Sequence, residues 1–238
     1  MKIKNLSDLS RKDYQRIVDR SSGTNQLIMP TVKKIMDKVQ KQGDKVIVNK
    51  YQQRYGKENY RSIQVTRDEI KKAYLQVDKK TATALKQMIK NITFVQKAQL
   101  TKKIDTVVES EKGIKVWREW RPIEKVGLYI PGGKAIYPSS VLMTAIPAQI
   151  AGCQEIIMCS PPHEDGQIPP ATLVAANIIG IKKIFKIGGA EAIASMTYGT
   201  ETIPNVYKVF GAGNSYVTAA KMIAREIISI DMPAGPSE

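Results

Sequence analysis

The chain is poor in the residues that build metal and nucleophile sites. One histidine and two cysteines occur in 238 residues. Cys153 and Cys159 stand in apolar context with no histidine beside them. That fits no common zinc pattern and reads as two buried, reduced thiols. His163 lies in a proline-rich polar loop, SPPHEDGQIPP, where a lone histidine is expected to be solvated. No apolar run approaches the roughly 18 residues of a membrane span. The start, MKIKNLSDLSRKDY, lacks the apolar core of a signal peptide. No membrane association and a cytoplasmic location are expected. Neither GxGxxG nor GxxxxGK[ST] occurs, so the two common nucleotide-binding signatures are missing as well.

Acidic charge is scarce, but only in one half. Residues 1–122 hold 29 Lys and Arg against 13 Asp and Glu, whereas residues 123–238 hold 8 against 9. The formal net charge of +15 is therefore a property of the first half. A nucleic-acid-binding role would need basic residues interleaved with a recognition motif, and none is found; solvated helical faces produce the same count. No nucleic-acid partner is expected.

The first half reads as mainly helical. Ser7 can cap a short helix. A stronger one is expected from Pro30 to Gln42, with Val32, Ile35, Met36 and Val39 as its apolar stripe and Gly43 as its stop. That stripe is a candidate face for self-association. Residues 44–55 suggest another helix, closed by Gly56. Ser62 to Val65 reads as a short strand, and Thr66-x-x-Glu69 as a capping box opening a further helix. A long helix is expected over Thr81–Ala98, and a hairpin around Lys112-Gly113. Tyr51, Tyr55, Tyr60, Trp117 and Trp120 read as packing and rim residues.

The second half changes character. Val126 to Ile130 is a short apolar run stopped by Pro131-Gly132-Gly133, with a small and apolar helical segment behind it. The unit repeats: strands are expected at 124–130, 155–160, 182–187, 205–210 and 228–231, with helices at 139–151, 170–179, 190–198 and 215–227. Strict alternation with short turns implies a parallel sheet with right-handed crossovers. The fold class is α/β: a mainly helical basic region over 1–122, then a doubly wound, Rossmann-like domain over 123–238.

In such a sheet ligands bind beyond the carboxyl ends of the strands. The turns expected there are 131–133, 160–162, 188–191, 211–214 and 234–237. Glycine lets backbone N–H groups approach a ligand, and a helix N-terminus behind them favours an anion. Gly211 to Asn214 is the best such turn, with Gly188 to Glu191 next. Short turns also need glycine simply to turn, so spacing alone leaves a ligand role open.

The segments VGLYIPGG, SSVLMTAIPAQIAGCQEIIMCSPP, GGAEAIASMTYGTETIPNV, FGAGNSYVTAAK and IDMPAGPSE, in that order, resemble the histidinol dehydrogenase family. The likeness covers 122–238 and extends more thinly through VKKIMDKVQKQGDK and REWRPIEKVG. It implies a zinc-containing, NAD-dependent homodimer that oxidises L-histidinol through L-histidinal to L-histidine, reducing two NAD, at the end of histidine biosynthesis. Carried over by position, Tyr129 and Asn214 match cofactor-contacting residues, and Ser237 matches a substrate-contacting serine. Glu191 stands where the family pattern has a glutamine that contacts NAD, and GAGN replaces GPGN, which is expected to loosen that turn.

The family's zinc ligands and its catalytic glutamate–histidine pair all lie beyond the AGPSE turn, and this chain stops at Glu238. Oxidising an alcohol requires a Lewis acid and a base, which one loop histidine cannot supply together. The chain therefore reads as an N-terminal portion, inactive alone, with no catalytic or metal-binding residue assigned. The alternative is a non-catalytic remnant that binds a ligand or partner.

Overall fold

The computed structural model describes residues 5–18, 22–100, 105–132 and 136–232. After a 3-10 turn at Leu6–Asp8 come five helices: α1 (Arg11–Val18), α2 (Ser22–Gln42), α3 (Asp44–Tyr55), α4 (Arg67–Gln76) and α5 (Lys79–Ala98). The strands β1 (Val108–Glu111) and β2 (Ile114–Val116) form an antiparallel hairpin at Lys112-Gly113. Then β3 (Lys125–Tyr129), α6 (Pro138–Ala151), β4 (Glu155–Ser160), α7 (Pro170–Ile178), β5 (Lys183–Lys186), α8 (Gly189–Tyr198), β6 (Lys208–Phe210), α9 (Ser215–Ala224) and β7 (Ser229–Ile230) follow in strict alternation.

The five strands β3 to β7 pair in parallel, in the order β5-β4-β3-β6-β7. Counted from β3 this is 3-2-1-4-5, the doubly wound arrangement, with its topological switch point between β3 and β6. Alternation along each strand feeds two cores. Tyr129, Ile157, Cys159, Phe185 and Val209 point to the side of α8 and α9. Leu128, Ile130, Met158 and Ile184 point to the side of α6 and α7.

The helices of the first half form an outer layer on both sides. On one face α2 packs on α8 and α9; on the other, α4 packs on α7 and α5 on α6. Val32, Met36 and Val39 are fully buried in this way, so the stripe expected to serve self-association is already covered from within the chain. The start of α2 also departs from expectation. It begins at Ser22 with Pro30 inside it, because Ile28 and Met29 lengthen the apolar stripe and pack against the core. Tertiary burial there outweighs the proline's missing N–H.

Two tethers fix the layers. Gly43 alone joins α2 to α3, and the Glu201 carboxylate accepts a hydrogen bond from the Asp44 N–H at 2.8 Å, an anion at a helix N-terminus. The Ser62–Val65 segment, expected as a strand, is reduced to a single bridge antiparallel to β5. Its Val65 N–H donates to the Ile184 carbonyl and its Ile63 carbonyl accepts from the Lys186 N–H, which covers the sheet edge. The Thr66–Glu69 capping box is formed as expected. Glu69 also holds the buried Lys186 ammonium at 2.6 Å.

Burial pushes the Glu69 carboxyl up, but the hydrogen bonds from Lys186 and the Thr66 N–H outweigh it and hold the group below its ordinary value. A depressed carboxyl contributes stability above its unfolded pKa and loses it as pH falls through the folded one. The urea midpoint should therefore drop as pH is lowered below about 4.5. Glu69→Gln should cost about 2 kcal/mol at neutral pH and flatten that acid limb. An unchanged limb in the variant would remove Glu69 as its source.

Candidate functional site

Helix α3 lies as a strap across the carboxyl ends of β4 and β5, and its neighbourhood is rich in tyrosine. Tyr51 stacks on Tyr60 with ring centroids 5.0 Å apart and tilts against Tyr55 at 5.9 Å. Each hydroxyl grips a turn of the sheet. Tyr60 donates to the Lys186 carbonyl at 2.7 Å, and Tyr55 donates to the Pro162 carbonyl at 3.1 Å. The Tyr51 hydroxyl accepts from the Gly188 N–H at 2.8 Å. Burial drives the phenol pKa values of Tyr51 and Tyr60 far up, so both stay protonated. Tyr51 and Tyr60 are buried packing residues and Tyr55 is half-buried at the rim, as expected, and all three also anchor the βα turns.

That clamp settles the fate of the Gly188–Glu191 turn, the second-best anion site by sequence. The Gly188 N–H goes to Tyr51, and the Gly189 N–H goes to the Tyr129 hydroxyl at 3.2 Å. Tyr129 is thus buried, with its ring reaching from the end of β3 to the start of α8. Glu191 is 4 % exposed, and its carboxylate meets the Lys50 ammonium of α3 at 2.5 Å. The negative charge is internally neutralised. A lysine 141 positions upstream had no local signal in the sequence.

The turn after β6 lies beside the switch point; residues 133–135 after β3 and 233–238 after β7 lie outside the described residues. Gly211 has φ +122°, and a Cβ there would collide with the Tyr129 carbonyl oxygen. Here glycine is required for the two strand ends to come together. A Cβ on Gly213 would lie 2.5 Å from the Val217 side chain, so that glycine lets the turn close onto α9. Asn214 is the N-cap of α9: its Oδ1 accepts from the Val217 N–H at 3.1 Å. The cap uses the oxygen alone, which leaves the exposed carboxamide its N–H donors. The Tyr129 carbonyl therefore lies against Gly211, three residues before Asn214, while the Tyr129 hydroxyl meets Gly189, two residues before Glu191. Ser237 lies outside the described residues.

His163 departs from expectation. It is half-buried, and its Nε2 is shielded from solvent without a hydrogen-bond partner among the described residues. Proline-rich loops are usually wet, but this one folds back beside Glu69 and Gln76 around a pocket of about 290 Å³. Both thiols are free; Cys159 is buried and Cys153 half-buried. No group of three or more His, Cys, Asp or Glu among the described residues could hold a metal ion.

The family model for histidinol dehydrogenase matches residues 18–238. The chain belongs to the histidinol dehydrogenase family. It is 43 % identical to a histidinol dehydrogenase of Methanocaldococcus jannaschii over 238 residues, all of this chain and 55 % of that protein. It is 45 % identical to one of Bacteroides fragilis over 231 residues, 96 % of this chain and 53 % of the relative. Among solved structures, the histidinol dehydrogenase of Elizabethkingia anophelis superposes with a TM-score of 0.82 at 44 % identity, covering 88 % of this chain and 48 % of that one. This histidinol dehydrogenase-family chain thus spans about half the length of the curated relatives it matches. Its α/β fold is that of the family. No helix among its described residues is long and apolar enough to cross a membrane.

The tyrosine clamp can be tested directly. Tyr51→Phe removes the acceptor of a buried N–H, which should cost about 1–3 kcal/mol in urea unfolding. The Gly188 amide should exchange faster in the variant. Unchanged protection at Gly188 would show that Tyr51 does not hold the turn.

Proposed function

We propose that this chain is the cofactor side of a cytoplasmic histidinol dehydrogenase, an oxidoreductase taking L-histidinol to L-histidine with two NAD. In this reading Tyr129, Glu191 and Asn214 belong to the NAD site and Ser237 to the substrate site. The observation that supports it is the Gly211–Asn214 turn, which lies beside the β3/β6 switch point and carries the exposed Asn214 carboxamide. The clamp of α3 takes up the turns after β4 and β5, and the turn after β6 presents the donors of Asn214 and the N-terminal amides of α9. Those groups suit the phosphates or the carboxamide of a dinucleotide.

The residues present fit NAD at this position. NAD supplies the hydride acceptor when bound; the chain's own groups bind and orient it. Glu191 acts through Lys50, whose ammonium it holds near the start of α8, so a phosphate nearby meets a paired charge rather than a bare carboxylate. The described residues do not fit zinc. No residue of this chain is assigned to the metal or to moving the alcohol proton, and both tasks fall to parts of the enzyme that the relatives carry beyond this span. The chain alone is proposed to be inactive.

The division at residue 122 is proposed to be one of composition and charge, with residues 1–122 serving as the cover of the sheet of 123–238. A homodimer is proposed from two grooves that apolar side chains line in part. A groove of about 820 Å³ runs along β7, with Ile227, Ile230 and Met232 on its wall among the charged Lys208, Arg225, Glu226 and Asp231. A second, of about 380 Å³, lies between α6 and β6 and shares Phe210 with the first. Such contiguous patches drive association.

Calorimetric titration of NAD tests the reading. Glu191→Gln frees the Lys50 charge and should tighten binding by about fivefold, and Lys50→Met should weaken it by a similar factor, each about 1 kcal/mol. The double variant should bind much like the parent. Equal affinities across the set would place the pair away from the cofactor. Histidinol oxidation should be undetectable for this chain and should appear when the remaining half of the enzyme is supplied. Turnover by residues 1–238 alone would overturn the division of labour.

A further inference from the structure

An ion pair between a buried lysine and a half-buried aspartate lies beside the Gly211–Asn214 turn and has no part in the function described so far. Lys221 on α9 is 2 % exposed. Its ammonium donates to the Gly211 carbonyl at 2.9 Å and forms an ion pair with Asp231, just past β7. The other Asp231 oxygen accepts from the Gly211 N–H at 2.8 Å. Asp231 is itself set in place by its N–H, which donates to the Val209 carbonyl at 3.1 Å. One residue, Gly211, is thus gripped at both its N–H and its C=O by a lysine and an aspartate that also hold each other.

Burying a lysine carries a desolvation penalty that an apolar side chain of similar volume avoids, so the pair is weak as a device for stability alone. Its geometry serves a different end. Gly211 is the point where β6 approaches the Tyr129 carbonyl, and its left-handed φ leaves the turn free to adopt other conformations unless something fixes it. Resting on the NAD reading above, we infer that Lys221 and Asp231 are positioning residues. They fix the Gly211–Asn214 turn so that the Asn214 carboxamide and the N-terminus of α9 face the cofactor.

The decisive variant replaces both partners, Lys221→Met with Asp231→Leu, because removing a buried pair together leaves no orphaned charge and keeps the fold. Lys221→Arg is the conservative control, since it retains the charge and can still donate. Two quantities are read on residues 1–238: amide exchange at residues 211–213, and NAD affinity by calorimetry. The double variant should keep its thermal midpoint within a few degrees, exchange its Gly211 amide at least tenfold faster, and bind NAD about tenfold more weakly. Lys221→Arg should restore most of both. Unchanged exchange at Gly211 would overturn the positioning role whatever NAD does. Faster exchange with unaltered NAD affinity would overturn it too, since the turn would then not serve the cofactor. A parent chain that binds no NAD, with exchange still responding to the variant, would instead sink the cofactor reading and leave the pair a purely structural tether.

Discussion

Helix α8 is buried on every side. Its residues from Ala190 to Thr197 are all sequestered, including Glu191, Ser195 and Thr197. A helix of that kind cannot lie on the surface of a two-layer sandwich and must have a second helix outside it. The first half of the chain answers this constraint. Its α2 stripe of Val32, Met36 and Val39 covers α8 and α9, and its α3 supplies partners for the polar groups stranded at the start of α8. Lys50 answers Glu191, and Tyr51 answers the Gly188 peptide. The same constraint explains the charge asymmetry. The outer helices own most of the surface on those two faces, so the solvated lysines belong to them. The half that builds the sheet can be nearly neutral.

The tyrosine hydroxyls give this packing its precision. Apolar burial sets α3 against the sheet but is indifferent to small shifts along it. Three phenols bonded to Pro162, Lys186 and Gly188 define one register, because each bond is directional and most of the atoms are out of reach of water. The contrast between the βα turns follows from this closure. Where α3 binds, the turns are filled by protein groups; where it does not reach, glycine and a capping asparagine stay available.

Much of this was legible in the sequence. The five strands, the crossover helices, the capping box and the hairpin each have a local signature: an apolar run, a glycine turn, a Thr-x-x-Glu spacing. Each is found within a few residues of its expected place. Contacts over long separations were not legible. Lys50 meets Glu191 across 141 residues and Tyr51 meets Gly188 across 137, and no window of sequence contains both partners. The start of α2 was misjudged for a related reason, since Pro30 is a strong local stop that only tertiary burial of Ile28 and Met29 overrides. Of the candidate site, the turn at Gly211–Asn214 could be found by spacing. That the Gly188 turn was already taken could not, and neither could the burial of His163.

The placement of the outer layer has a consequence for how the chain is made. Synthesis proceeds from the N-terminus, so α2 to α5 leave the ribosome before a single strand of the sheet they cover exists. The α2 stripe must wait for α8 and α9, well over a hundred residues later, α4 and α5 wait for α7 and α6, and among the described strands the two-residue β7 joins the sheet last. Loop closure over such separations is slow, and a waiting apolar stripe is exposed to wrong partners. The high density of lysine on these helices then has a use during birth as well as after folding, keeping unpartnered segments soluble and mutually repelled until the sheet arrives to receive them.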